Sequence, residues 1–532
     1  NNWGKDFSPE DHLRQVPNTP YFEGTLRSLR DGMEYRLLLN GREVLDPAAI
    51  QYTTPESVAA ARGPGQVAYL NSIFRDMDTR PVRKTVDFRG RAVLIGEEGL
   101  FELAAKWTQN GQKGPANKVD TYRFIAESGL PQKMADMGYT HVEFLPFNSF
   151  VDGDEWFLRY QSYGLFGPDS RYGAPQDFRH MVEAFNHAGV GVIMDAVWAH
   201  YPTRAVTQKG VRDLNPVGQH HFIGGFGKPI FGSAPTVWGT NYYDLENPHV
   251  RRFLLDSGLQ MRKLYGISGI RIDHIDGIRA QPGGDEFLKQ VGSEFAAYDP
   301  GFLIIGEMFS DHGHSLTRND MGGQGFHSAN DVDFFYNFVQ KFLQARDEEI
   351  DLWRLQNFFN DSWRWDRVPM QRWITNHDEA ANKQPGASGD YVATLVNGGG
   401  WEYVEKKTKI WGALGMTMGS IYLDMPQMRF LQEGNLNNNP HLDWDLLGLE
   451  SQNRTNQFFS HLSRTIRDIK AFAPQNLHPD LINHVDNDNK VLTFLRIDFE
   501  TNRKYYVVMN LGSRDLHNYR FGVDASGAKS YK

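Results

Sequence analysis

The chain has 532 residues, a formal net charge of −9 from 56 Lys and Arg against 65 Asp and Glu, and no cysteine. The missing cysteines exclude a disulfide framework, a thiolate zinc site and a cysteine nucleophile. The acidic balance argues against a nucleic-acid or anionic-membrane partner, and no apolar run reaches the roughly 18 residues of a membrane-spanning helix. That length suits two or three domains, or one large α/β barrel with appendages. The sequence opens on Asn1-Asn2-Trp3, as a processed or trimmed form would, so the expected soluble protein is either cytoplasmic or exported after signal removal. Aromatic residues make up 13% of the chain, which suits a large core or a surface where flat rings stack on sugars.

In chain order, residues 1–90 have the pattern of a small β-rich module. Tyr35-Arg-Leu-Leu-Leu39 is followed by Asn40-Gly41, a strong hairpin turn between apolar runs. From residue 91 strands and helices alternate. Ala92–Ile95 is a short apolar strand, and 121–137 has helical periodicity that stops at Gly138. Val142–Leu145 is the next strand. Pro175 opens a helix that Gly189 ends. Further strands are expected at Gly191–Met194, Gly269–Ile272, Phe302–Ile305, Val332–Phe334, Gln371–Ile374 and Ser420–Leu423, with a helix from Pro248 between the third and fourth.

Eight strands, each followed by helix or loop, give the rhythm of a (β/α)8 TIM barrel over residues 91–474. The connection 201–247 after the third strand is far longer than an ordinary βα loop, and such an insertion is usually functional. After a last helix over about 456–471, the runs Lys490–Leu495 and Lys504–Met509 return to β texture. Residues 475–532 are therefore expected to form a C-terminal β domain of sandwich type.

Barrel enzymes carry their chemistry at the C-terminal ends of the strands. Four predicted strands end there in an acid: Asp195, Asp273, Glu307 and Asp378. His200 and His377 stand beside two of them, and Arg271 lies two positions before Asp273 on the same strand face. A single acid at such a place is usually a cap or a solvated residue. Four crowded at one rim cost energy unless they act together. Paired carboxylates are what glycoside cleavage requires: one attacks the anomeric carbon, the other protonates the leaving oxygen. The pairing predicts a carboxylate at Asp273 kept ionised by Arg271, and a Glu307 raised by burial and neighbouring acids.

Asp195-Ala-Val-Trp-Ala-His200, Gly269-Ile-Arg-Ile-Asp-His274, Ile304-Ile-Gly-Glu307 and Thr375-Asn-His-Asp378 resemble, in order, the four signature regions of the α-amylase family of glycoside hydrolases. The resemblance implies that Asp273 is the nucleophile, Glu307 the acid/base and Asp378 the residue holding the distorted sugar, with Asp195, His200, Arg271 and His377 around them. Tyr139–Pro146, Tyr160-Gln161 with Gly164–Pro168, Ser170–Gly173, Val332–Asn337 and His441–Leu447 are similar to glycogen branching enzymes. On that likeness Tyr160 stacks beneath the reacting sugar. Trp198, Trp238 and His274 are further candidates for sugar contact, and Trp401 and Tyr403 are aromatic candidates near the rim.

The expected substrate is an α-glucan or maltooligosaccharide, cleaved at α-1,4 bonds through a covalent glucosyl-enzyme, with water or a sugar hydroxyl as acceptor. Transfer of branching or glucanotransferase type is favoured over plain α-amylase-like hydrolysis, and a non-catalytic binding barrel is the remote alternative. Three places depart from branching enzymes. Met308 follows Glu307 where a second acid is usual, Arg271–Gly277 is more similar to maltooligosyl trehalose synthases and glucanotransferases, and Tyr422-Leu-Asp-Met-Pro426 replaces the usual eighth-strand motif. No cofactor or metal is expected. Ala199 stands where many α-amylases place a calcium-binding asparagine, Asp486–Lys490 suits a hairpin turn better than a calcium loop, and His220-His221 and His312-Gly-His314 lack further ligands at metal spacing.

Overall fold

The alternation of strand and helix closes into a barrel in the computed structural model. It describes residues 12–523 except 18–21, 27–28, 40–41, 55–56, 58–59, 61–67, 83, 151–158, 203–206, 209–210, 213–230, 233, 361–369, 382–388, 397–399, 420 and 477–481. The barrel strands are β1 (Val93–Glu98), β2 (His141–Phe144), β3 (Gly191–Ala196), β4 (Gly269–Ile272), β5 (Leu303–Gly306), β6 (Ser328–Ala329), β7 (Gln371–Trp373) and β8 (Ile421–Asp424). They form one eight-stranded parallel sheet in the order β6-β5-β4-β3-β2-β1-β8-β7. A parallel bridge from Asn330 to Gln371, with the Asp331 N–H donating to the Gln371 carbonyl at 2.8 Å, joins the two outer strands.

Two expected elements differ. Val332–Phe334 is a helical turn, not a strand, because the Asp331 carboxylate caps the Phe334 N–H at 3.2 Å and turns the chain. The sixth strand is instead the short, weakly apolar Ser328–Ala329. The single helix expected over 121–137 is two, Thr121–Glu127 and Leu130–Asp136, broken at Gly129 (φ 75°), with Pro131 in the first turn of the second. The helix Pro175–Ala188 starts at its proline and ends on left-handed Gly189 as expected.

Register shows which side chains enter the barrel. Neighbours on parallel strands point the same way, and every second residue returns to the same face. Glu97 is level with Glu143, Glu143 with Ile193, Asp195 with Arg271, and Arg271 with Ile305. The inward face is apolar lower down, at Ile95 and Ile193, and charged near the strand ends.

Before the barrel, the described residues form short strand pairs. Leu37–Leu39 pairs with Arg42–Val44, and Leu39 lies opposite Arg42, which leaves a two-residue connection at the Asn40-Gly41 site that itself lies outside the described residues. Within the long insertion, His200–Pro202 pairs with Thr240–Tyr242. Val211–Arg212 pairs in parallel with Ala68–Tyr69 of the N-terminal region. At the other end, β9 (Ile482–Asp486), β10 (Val491–Asp498) and β11 (Arg503–Asn510) form a three-stranded antiparallel sheet. Asp486 accepts from the Asn489 N–H at 2.9 Å, so the Asp486–Lys490 stretch is a hairpin turn. No helix among the described residues is long and apolar enough to cross a membrane.

Arg496 of β10 ties this sheet to the barrel. Its side chain is fully buried, donating to the Ala471 carbonyl at 2.9 Å and to the carbonyls of Met418 and Gly419 at 3.3 Å, at the C-terminal end of the helix Trp401–Met418. A cation there complements the helix dipole and satisfies carbonyls with no partner inside the helix. Arg496→Met should lower the unfolding free energy by about 2–3 kcal/mol, measured by urea denaturation, because those carbonyls remain buried and unpaired.

Candidate active site

Arg271 gathers the acids of the rim. One guanidinium nitrogen, Nη1, donates to both carboxylate oxygens of Asp195 at 2.9 Å and to Oδ1 of Asp273 at 3.0 Å. The other, Nη2, lies 2.9 Å from Oε1 of Glu307. Nη1 also reaches the Tyr160 hydroxyl at 3.3 Å, and that hydroxyl donates to Oδ2 of Asp195. All five side chains are buried. A planar guanidinium is suited to this because its donors fan out in fixed directions and it stays charged under burial.

A second cation lies across the rim. The imidazole Nδ1 of His377 is 2.6 Å from Oε1 of Glu97, and the His377 backbone N–H donates to Oε2 of the same carboxylate at 2.7 Å. Nε2 of His377 is 2.9 Å from the Tyr160 hydroxyl and 3.6 Å from Oδ2 of Asp378. The Tyr160 and His377 rings stack at 5.3 Å with 19° between their planes. Burial opposes a charge on His377, but Asp378 and Glu97 outweigh it and push its pKa up to about 10.

Protonation differs from the sequence expectation in one respect. Burial, and then the neighbouring Glu307, push Asp273 well above the carboxylate range in spite of Arg271. Burial also opposes a charge on Glu307, yet Arg271 and the His274 backbone N–H, which donates at 2.8 Å, hold it below that range. The two acids are thus pushed in opposite directions, Asp273 upward and Glu307 downward, the reverse of the expected order. Burial raises Asp195 and Asp378 as well.

The insertion supplies an aromatic wall beside these acids. Trp238 is half exposed, with its ring 5.4 Å from His200 and 4.9 Å edge-on to His274. Tyr242 stacks on His274 at 6.3 Å. His274 adopts a left-handed backbone (φ 54°), and its ring lies so close to Gly277 that a Cβ there would sit 1.9 Å from Nε2. That strain is tolerated only because the surroundings fix it. Burial makes both histidines weaker bases, His200 to a pKa of about 4.

Trp198 departs from its expected place. It is 1% exposed and packs in the core against Gly258 and Phe287, so it presents no surface to a sugar. Trp198 lies two residues past the end of β3, where the chain has left the strand and its ring turns into the helix layer. Trp401 and Tyr403 lie in the first turn of the helix Trp401–Met418, Trp401 exposed and Tyr403 beneath the Lys407 ammonium. His314 pairs with Asp285 at 2.7 Å, away from these acids in sequence and bonding, and His220-His221 lie outside the described residues. Among the described residues no group of three or more His, Asp or Glu side chains is arranged to hold a metal ion.

Sequence reasoning passes over two acids. Glu97 follows closely on the Ala92–Ile95 run, within β1, and Glu143 lies inside the second predicted strand at an inward position. The signal for Glu97 is present in the residues: it is another acid near the C-terminal end of a barrel strand.

The barrel fold is shared with solved structures of alpha-amylases. A maltogenic alpha-amylase AmyB from Thermotoga neapolitana superposes with a TM-score of 0.57 at 17% identity, covering 79% of this chain and 85% of that one. An Anoxybacillus alpha-amylase gives 0.58 at 13% identity, covering 80% and 88%. In sequence the chain is similar to proteins named 1,4-alpha-glucan branching enzyme GlgB. That of Rubrobacter xylanophilus is 28% identical over 76% of this chain and 57% of its own length. The Bacillus caldolyticus protein is 25% identical over 77% and 61%, and GlgB 2 of Xanthomonas campestris is 25% identical over 98% and 71%. The chain thus spans little more than half the length of the first of these relatives. No protein-family model matches it.

Glu97→Gln should lower the His377 pKa from about 10 by about 1–3 pH units, read by NMR titration of labelled histidine. A histidine raised in the fold contributes stability fully below its unfolded pKa of about 6.5 and loses it as pH climbs through the folded value. The stability gap between wild type and Glu97→Gln should therefore be widest below pH 6.5 and close towards pH 10.

Proposed function

We propose that this chain is a retaining α-glucan-active enzyme that cleaves α-1,4-glucosidic bonds by double displacement and passes the glucosyl unit to a sugar hydroxyl. One observation carries the reading: Asp273 and Glu307 bond to the two terminal nitrogens of a single guanidinium, at 3.0 and 2.9 Å, which holds the two carboxyls side by side. Retaining glycosidases keep their two carboxyl groups close, at about 5–5.5 Å, whereas inverting enzymes separate them to hold that water.

In this reading Asp273 attacks the anomeric carbon and Glu307 protonates the departing oxygen. The chemistry needs a carboxylate at Asp273 and a proton on Glu307; because their surroundings push Asp273 up and Glu307 down, a proton has to reach Glu307 before the bond breaks. The bond from the sugar carbon to the leaving oxygen breaks as the bond to Asp273 forms. Glu307, now ionised, then takes the proton of the acceptor hydroxyl as that oxygen displaces Asp273. Asp378, beside His377, would hold the distorted sugar, with Tyr160 beneath it and Asp195, Arg271 and His377 around it. Trp238, His274 and His200 would form the wall along which the glucan lies.

Transfer is supported by the sequence likeness to proteins named branching enzymes. Plain hydrolysis is the second reading, favoured by the fold likeness to proteins named alpha-amylases. We take residues 1–90, 91–474 and 475–532 as the N-terminal module, catalytic barrel and C-terminal β domain.

Incubation with maltoheptaose and amylose, followed by NMR of the linkages, tests the reading. New α-1,6 signals mean branching, redistributed α-1,4 chains mean disproportionation, and shortened chains alone mean hydrolysis. Glu307→Gln should reduce kcat by about 10²–10⁴-fold, and Asp273→Asn should abolish turnover, with circular dichroism unchanged in both. Substantial activity in either variant would overturn the assignment.

A further inference from the structure

Glu143 is a buried carboxyl that the proposed chemistry does not use. It stands on β2 with its side chain on the inward face, level with Glu97 on β1 and one inward position below Asp195 on β3. It is 2% exposed, and its Oε2 has no hydrogen-bond partner. An unpartnered carboxylate in such a place is costly, and a buried acid normally escapes the cost by keeping its proton. Two residues on, just past the end of β2, stands buried Leu145, and two residues the other way lies His141, which burial keeps neutral by lowering it to about 3.

The groups facing Glu143 come from four other elements. Glu97 of β1 and Asp195 of β3 oppose its ionisation, while Arg271 of β4 and His377 after β7 favour it. Both cations are already engaged, Arg271 by Asp195, Asp273 and Glu307, and His377 by Glu97. Burial and Glu97 prevail, and Glu143 is pushed up to about 8.

We propose that Glu143 is a positioning residue which, as a neutral acid under the floor of the site, keeps the charge balance that lets Asp273 ionise, and whose ionisation switches the site off on the alkaline side. A negative charge at Glu143 would stand beside Glu97 in a dry interior. It would repel the carboxylate that clamps His377 from both ring and backbone, and it would strengthen the hold of Asp195 and Asp273 on protons. Glu143 touches neither reacting atom; it acts through Glu97, His377 and Asp195. Only the consequence for turnover rests on the proposed activity, since the proton itself is observable without turnover.

Two measurements test it. The first needs no substrate: infrared spectra of protein carrying ¹³C-labelled glutamate, recorded between pH 6 and 10, should show a protonated-carboxyl band that disappears with a midpoint near 8. That loss should be missing from Glu143→Gln. If no glutamate band titrates in this range, or if Glu143→Gln leaves the titration intact, the proposal is wrong whatever the enzyme does. The second is the pH profile of kcat on the glucan substrate. Glu143→Gln, permanently neutral, should move the alkaline limb up by about one pH unit or more, a tenfold gain in relative activity there. Glu143→Asp should keep an alkaline limb, and it serves as the second variant if Glu143→Gln does not fold. An unchanged limb in a folded Glu143→Gln would overturn the role. A wild type inert on every glucan would instead defeat the proposed function, and the infrared titration would then decide for or against the proton on Glu143 by itself.

Discussion

A single buried guanidinium, that of Arg271, is the interaction on which the site depends. Asp195, Asp273 and Glu307 come from three adjacent strands, and each would repel the others if left alone at the barrel mouth. Arg271 stands on the middle strand of the three and bonds to all of them. Buried ion pairs gain little net stability, because the desolvation of both partners offsets most of the attraction. Their value here is geometric. One planar donor set fixes three carboxyls relative to each other, and Tyr160 is drawn in through the same nitrogen.

The second cation follows from barrel closure. His377 lies just past β7 and Glu97 near the end of β1, on strands separated by β8. Their double hydrogen bond spans that strand, so the raised pKa of His377 depends on β1 and β7 both being in place. The Asn330–Gln371 bridge has the same consequence from the other side, since it seats β7 against β6. Folding and site electrostatics are therefore coupled. No local segment can assemble the acids and both cations by itself.

Much of this is legible in the residues. The ordered strand-end acids Asp195, Asp273, Glu307 and Asp378 mark the rim because a barrel strand ends where its chemistry begins. Period-two spacing puts Arg271 on the same face as Asp273, where the ion pair lies. What sequence misses has physical causes. Apolarity as the mark of a strand ends β1 at Ile95 and leaves out Glu97, although the strand runs to Glu98. The same criterion favours Val332–Phe334 over Ser328–Ala329, where tertiary pairing, not composition, makes the strand. Nearness to Asp195 suggests the rim for Trp198, but the face on which a side chain emerges matters more than distance along the chain. The opposite shifts of Asp273 and Glu307 are hidden altogether, since Glu307 is lowered by Arg271 and then by the backbone N–H of His274, a residue in a left-handed conformation.

The inward face of the barrel explains why the acids titrate as they do. Ile95, Ile193 and Ile305 form an apolar plug in the same buried cluster, directly against the charged positions. A carboxylate in such a mouth is solvated from above only, and the protein beneath it cannot reorient to stabilise charge. Asp195, Asp273 and Asp378 are pushed up for that reason, each chiefly by burial. The same dryness strengthens the pull of Arg271 on whichever carboxylate is ionised. A site built this way sets Asp273 and Glu307 in opposing fields, and changes of charge in the plug bear on which of them is ionised. Glu143 is a polar group that interrupts the plug, on the side where the carboxyls of Glu97 and Asp195 lie, and its position makes it the natural point from which the floor could alter the balance above.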